Sequence, residues 1–281
     1  MSNFVSMIVK KNTAKNSHFP ELTGKLYRAF QHQRIVYRED VIEFYGGDVK
    51  KSDLNIHRLL KSERAIRIKA NVYYFKTPQE FYDGDVLVDP LLIAGKVHPQ
   101  GVIAYHTALR VTGIAYSVST HYQVGIPKEE KQTPRPFEFQ NVFYRFYRTD
   151  LSFGLEEAVI HDVTVPYFSK ERILLEGLMY QDRFLGIAEL LQSVEGFPYV
   201  NPDDLLEILP NYPVKTAAMR LGWLLERFQK KWYITEEVLN KLEKYRSVTR
   251  LFLVPNKRKY NKLERRWNLM VPKTLDYLDE M

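Results

Sequence analysis

Between Asp48 and Phe75 the hydrophobic period changes from helical to alternating within one basic stretch, DVKKSDLNIHRLLKSERAIRIKANVYYF. Two periods back to back admit few folds, because a helix must stop and a two-stranded hairpin must start within a few residues. Asp48 supplies the helix start signal. At about 100° per residue, Val49, Ser52, Ile56, Leu59 and Leu60 gather on one side, which predicts the packed face. Lys50, Lys51, Leu54, His57, Arg58 and Lys61 gather on the other. Ile66 and Ile68 then alternate with Arg67 and Lys69, and Lys69-Ala70-Asn71 makes the turn. Asn71 suits it because Asn tolerates left-handed backbone. Residues 72–75 return as an aromatic strand, and Lys76-Thr77-Pro78 closes the unit.

Two shorter helices precede this stretch. Residues 21–31 place Leu22, Leu26, Ala29 and Phe30 on one face, and residues 38–45 carry Val41, Ile42 and Tyr45 before Gly46-Gly47 stops them. Three helices and a hairpin, with charge on the last helix and the wing, outline a winged helix-turn-helix. The partner this outline implies is double-stranded DNA. Lys50, Lys51, Arg58, Lys61, Arg67 and Lys69 have the chemistry to reach phosphates or guanine edges, and His57 can donate to either. Leu54 fits a thymine methyl, or a protein contact if the winged helix is an adaptor that binds no DNA.

The charge is placed accordingly. Of a net +7, residues 1–82 account for all: 15 Lys and Arg stand against 8 Asp and Glu, and the other 199 residues hold 26 of each. A local basic field attracts polyanions and speeds their association. Cys is absent, which excludes disulfides, thiol catalysis and zinc-thiolate sites. No apolar run approaches a membrane span, and the N-terminal residues are too polar for a secretory signal, so the expectation is a soluble cytoplasmic chain with no membrane partner. The change of character at Asp83-Gly84-Asp85 predicts two domains, 1–82 and 83–281, the second allowing a subdivision near residue 200.

In the second segment helical and alternating stretches follow each other irregularly. Residues 91–95 and the later part of 102–113 read as helices, and residues 120–126, 141–148 and 159–165 as strands. Residues 170–180 read as a helix burying Ile173, Leu174, Leu175 and Leu178. The whole is expected to be α+β (mixed): an N-terminal winged helix-turn-helix, then a larger mixed α/β domain with a helical C-terminal part. Tests for an enzyme give nothing positive. His98, His106, His121 and His161 lack metal-ligand spacing, and His161-Asp162, read within a strand, point to opposite faces. No phosphate loop, dinucleotide fingerprint or nucleophile elbow occurs. The reading is therefore no catalytic residue, no metal and no cofactor. A metal-dependent nucleic-acid enzyme built from dispersed carboxylates is the remaining enzymatic alternative.

Asn201-Pro202-Asp203-Asp204 is a strong helix start. Residues 214–228 bury Ala217, Ala218, Leu221, Leu224, Leu225 and Phe228 in expectation, and Thr235 caps a further helix with Ile234 and Leu239 spaced as a hydrophobic staple. Residues 251–254 read as a short strand. Then come Lys257, Arg258, Lys259, Lys262, Arg265 and Arg266, interleaved with Tyr260 and Trp267, a second candidate basic surface for phosphates or an acidic partner.

The order of several motifs resembles the AbiEi family, antitoxins of type IV toxin–antitoxin systems that also act as transcriptional regulators. The carriers are His98-Pro99-Gln100-Gly101, Tyr105-His106-Thr107-Ala108-Leu109, Thr112-Gly113-Ile114, Gly125-Ile126-Pro127 and Ser169-Lys170-Glu171-Arg172-Ile173-Leu174-Leu175-Glu176, behind a winged helix. Arg220-Leu221-Gly222-Trp223-Leu224-Leu225 continues the likeness more loosely. Ile173, Glu176 and Leu185 depart from the family's commoner Thr, Asp and Gly. The resemblance implies an autorepressor that binds the operator of its own operon as a monomer or homodimer. It also implies an antitoxin whose counterpart is a nucleotidyltransferase toxin, a partner in function if not in physical contact.

Overall fold

The computed structural model describes residues 20–280, and the segment read above for a secretory signal lies outside them. The chain is α+β, with three separate sheets among the described residues. It divides into two compact units. One comprises residues up to Val97 together with Val159–Val163; the other comprises His98–Ala158 and Thr164–Met281.

The first unit runs α1 (Glu21–Phe30), β1 (Ile35–Tyr37), α2 (Arg38–Phe44), α3 (Val49–Lys61), β2 (Ala65–Lys69), β3 (Val72–Phe75), α4 (Pro78–Asp83) and α5 (Pro90–Lys96). Its antiparallel sheet has the order β1-β3-β2, with Ile35 opposite Tyr74 and Ala65 opposite Phe75. Leu26, Val36, Val41, Ile56, Leu59, Ala65, Tyr73 and Phe75 form one closed core, in which each large side chain contributes about 1.5–3 kcal/mol by leaving water. α1 packs on a face turned from the expected one: Leu22 and Ala29 are exposed, and Thr23 is buried beside Leu26. The cause is polar, since the Thr23 hydroxyl donates to Asn55 Oδ1 at 2.5 Å inside the core. β1 is too short to show a period and is introduced by Arg34 in left-handed backbone (φ 66). α4 follows directly on Lys76 through a Thr77/Glu80 capping box, where sequence reading expected only an end to the unit.

The second unit holds β4 (Val102–Ile103), α6 (Tyr105–Val111), β5 (His121–Pro127), β6 (Phe137–Phe139), β7 (Val142–Thr149), β8 (Leu155–Ile160) and β9 (Val163–Phe168), and then a helical half. The tip joining β8 and β9 groups with the first unit. The six-stranded sheet has the order β6-β7-β5-β4-β9-β8 and is mixed: β5 pairs parallel with β7, and β4 parallel with β9. The expected strand at 159–165 is instead the tip of a hairpin. His161 and Asp162 are its turn, both left-handed (φ 48 and 63), as a two-residue hairpin loop requires. Periodicity misread it because the turn lacks Gly and its flanks, VI and VTV, alternate through it in phase.

The helical half comprises α7 (Lys170–Met179), α8 (Ile187–Val194), α9 (Pro202–Ile208), α10 (Val214–Arg227) and α11 (Glu236–Glu243). Asn201 and Thr235 cap α9 and α11 as their sequences predict, accepting from Asp203 N and Val238 N. α7 is buried on every side from Glu171 to Leu178, including Arg172 and Glu176. Arg172 is satisfied by Phe153 O at 2.7 Å, Thr149 Oγ1 at 2.9 Å and Glu176 Oε1 at 3.3 Å, and lies over the Phe168 ring. Burial pushes the Glu176 carboxyl pKa up against the opposing charge of Arg172. A last small sheet joins β10 (Leu251–Phe252), β11 (Asn261–Glu264) and β12 (Leu269–Pro272).

Candidate nucleic-acid interface

α3 is fixed from beneath by polar groups. Asp48 Oδ1 accepts from Lys51 N at 3.0 Å, and the buried Ser52 hydroxyl reaches Asp48 O at 2.7 Å and Val41 O at 3.2 Å. Asn55 donates to Lys51 O at 2.8 Å while accepting from Thr23. Its buried face is Ser52, Asn55, Ile56 and Leu59; Val49, expected there, is 45% exposed at the first turn.

Of the residues assigned to the outer face, Lys50, Leu54, His57 and Lys61 share one exposed stripe. At helical rise it spans roughly 16 Å. Leu54 is 48% exposed. Lys51 and Arg58 flank the stripe half-buried, and Lys51 Nζ lies 4.9 Å over the Tyr45 ring. Asp53, which sequence reasoning passed over, also emerges on this side. Arg38, at the start of α2, clamps it with two bonds of 2.7 Å and holds its carboxyl pKa below the ordinary value. The one acidic group between the basic turns of α3 is thereby neutralised, and the signal for it was an Arg at a helix start fifteen residues upstream.

On the β2–β3 hairpin, Arg67 is exposed with its guanidinium 5.9 Å over Tyr73. A bulge between Arg67 and Lys69 reorients the hairpin end, and Asn71 takes the left-handed turn conformation (φ 63) expected of it. Lys69 is half-buried, and burial lowers its ammonium pKa. Not all of the local positive charge faces outward. Arg34 pairs with Glu80 at 2.6 Å and with the Tyr74 hydroxyl, and the buried Lys76 donates to Gly84 O at 2.9 Å.

The second candidate surface is a folded part of the molecule. Arg266 is enclosed by Glu236 (2.9 Å), Glu243 (3.2 Å) and Glu226 (3.3 Å), which raise its pKa, and it also meets Asn240. Lys262 pairs with Asp276 at 2.8 Å and Glu264 at 3.5 Å. Trp267 is wholly buried, its indole N–H donating to Glu226 Oε2 at 2.7 Å. Lys257 reaches Thr274 Oγ1 and Arg258 stacks on Phe252, while Lys259 and Arg265 are exposed at opposite ends of β11. The six basic residues are thus not one free patch.

The histidines are placed individually. His106 is buried against Glu189 at 3.2 Å, and burial lowers its pKa; His161, in the hairpin turn, meets Asp89 at 3.1 Å. Among the described residues no group of three or more His, Asp or Glu is arranged to hold a metal ion, and no helix is long and apolar enough to cross a membrane.

The architecture defines an α+β chain of two units, the first of three helices and a three-stranded sheet followed by two short helices. Among solved structures it is similar to the RV2827C protein from Mycobacterium tuberculosis, with a TM-score of 0.58 at 14% identity over 91% of this chain and 93% of that one. That likeness concerns the fold. No protein-family model and no curated protein matches the chain.

Proposed function

We propose that the first unit is a winged helix-turn-helix that binds double-stranded DNA, and that the chain is a cytoplasmic transcriptional autorepressor and antitoxin of the AbiEi type, not an enzyme. The observation that carries the DNA reading is the stripe Lys50, Leu54, His57 and Lys61 on a helix whose other face is locked into the core, with Asp53 neutralised beside it. The order α1-β1-α2-α3-β2-β3, with β1 completing the sheet of the wing, supports it. In this reading α3 enters the major groove, Arg67 at the wing contacts the backbone, and a few side chains select bases. The antitoxin role rests on the motif resemblance, with a nucleotidyltransferase toxin as the functional counterpart.

A gel-shift titration with the DNA upstream of the chain's own reading frame, at two salt concentrations, tests the proposal. Arg58→Ala is expected to cost about 1–3 kcal/mol of operator affinity if Arg58 reads a base. Lys50→Ala is expected to weaken all sequences alike and to reduce the salt slope by about one. Wild-type affinity in both variants would remove α3 from the interface. A second reading, a protein adaptor, is favoured by the exposure of Leu54 and Val49 at either end of the first turns of α3. It predicts no retarded band at either salt concentration.

A further inference from the structure

We propose that the open strip of the large sheet, on β7 and the start of β5, binds single-stranded nucleic acid. His121 and Phe143 stack on a base, and Arg145 holds the phosphate beside it. The parallel register sets His121 beside Phe143, Gln123 beside Arg145 and Gly125 beside Tyr147, so these side chains share one face. His121 and Phe143 stack at 5.2 Å and 15° and are both exposed, Phe143 by 44%. One exposed aromatic is ordinary. Two stacked rings facing water, with an exposed arginine two residues along the same strand, form a platform with a cation at its edge.

The strip continues inward. Gln123 donates to Arg183 O at 2.8 Å, and Arg183 closes the inner end of the strip. The Arg183 guanidinium lies 4.8 Å over Tyr147 and 4.4 Å over Tyr180, and it donates to the Tyr105 hydroxyl. By contrast, Arg172 and Arg266 are engaged with carboxylates, and Arg220 with the carbonyls of Leu178 and Phe252. Arg145 is exposed and forms no ion pair among the described residues. Glu138, exposed opposite Phe143, is the acid of this edge and orients the phosphates toward the arginine side.

The five residues of strand from Phe143 to Tyr147 span roughly 13 Å. Within that length the ring pair supplies a stacking face, and Arg145 a cation, for one splayed nucleotide. A duplex keeps its base faces covered, so stacking on an open sheet selects an unpaired strand.

The test is fluorescence anisotropy on the full chain with labelled oligo(U) and oligo(dT) at two salt concentrations. Binding of either at low salt is expected, and the preference between them tells whether RNA or DNA is the source. Phe143→Ala is expected to weaken binding at least about fivefold, with Phe143→Trp retaining it and Arg145→Ala flattening the salt dependence. The pair Lys50→Ala and Arg58→Ala should leave it unchanged, and Phe143→Ala should leave duplex retardation unchanged, so the two surfaces fail separately. Three results would overturn the proposal: no oligonucleotide binding, loss in Phe143→Trp equal to that in Phe143→Ala, or dependence on Lys50 and Arg58 alone.

Discussion

Gly222 shows how much one position can carry. A Cβ built there meets the Trp267 ring at 2.1 Å, and that ring is wholly buried and tethered to Glu226. The indole has nowhere to go, so Gly222→Ala should destabilise the second unit by about 3 kcal/mol, the upper part of the usual overpacking range. Urea unfolding followed by tryptophan fluorescence reads this directly. Asp162 is the opposite case, an L-residue in left-handed backbone at a tight turn (φ 63). Asp162→Gly should stabilise the β8–β9 hairpin by about 0.5 kcal/mol, seen as a raised denaturation midpoint. At this scale the sequence was legible where chemistry is local. Asp48 as a cap and Asn71 in the turn needed only their neighbours. Asp53, Arg266 and Lys262 were not legible, because each is neutralised by a partner brought from elsewhere in the chain.

Elements were legible in proportion to their length and solvent contrast. α3 has one wet and one dry side, and its bounds and outer face follow from its period. α7 is dry on all sides, so its period shows the four apolar positions and hides Arg172 and Glu176. β1 has three residues and no period to read. α4 had a legible signal in Thr77-x-x-Glu80, and it gives a pH prediction. Burial raises the Glu80 carboxyl pKa, but bonds from Thr77 N–H, the Tyr74 hydroxyl and Arg34 outweigh it and leave the pKa below 4.5. A carboxyl depressed by folding adds stability above its unfolded pKa and loses it as the pH falls through the folded one. Wild type should therefore lose stability below about pH 4.5 more steeply than Glu80→Gln, as thermal melts across that range would show.

For the whole molecule, the sequence located the positive charge and the mixed fold class, since both are sums that survive ignorance of contacts. It did not reveal that the first unit takes in α5 and a distant hairpin tip, since grouping by contact is invisible to composition. The Tyr37 hydroxyl donates to Lys96 O, so the unit is tied to the end of α5. A fragment of residues 1–97 should melt higher than one of residues 1–82, and circular dichroism of the two would decide it.

The tip at Val159–Val163 has a further consequence, in time. A unit assembled from residues up to 97 and from 159–163 cannot be completed as it leaves the ribosome. At ordinary synthesis rates the missing 66 residues take roughly 3 to 13 s. For that interval the nascent first unit exists without its last piece, and a chaperone met during it encounters an unfinished surface.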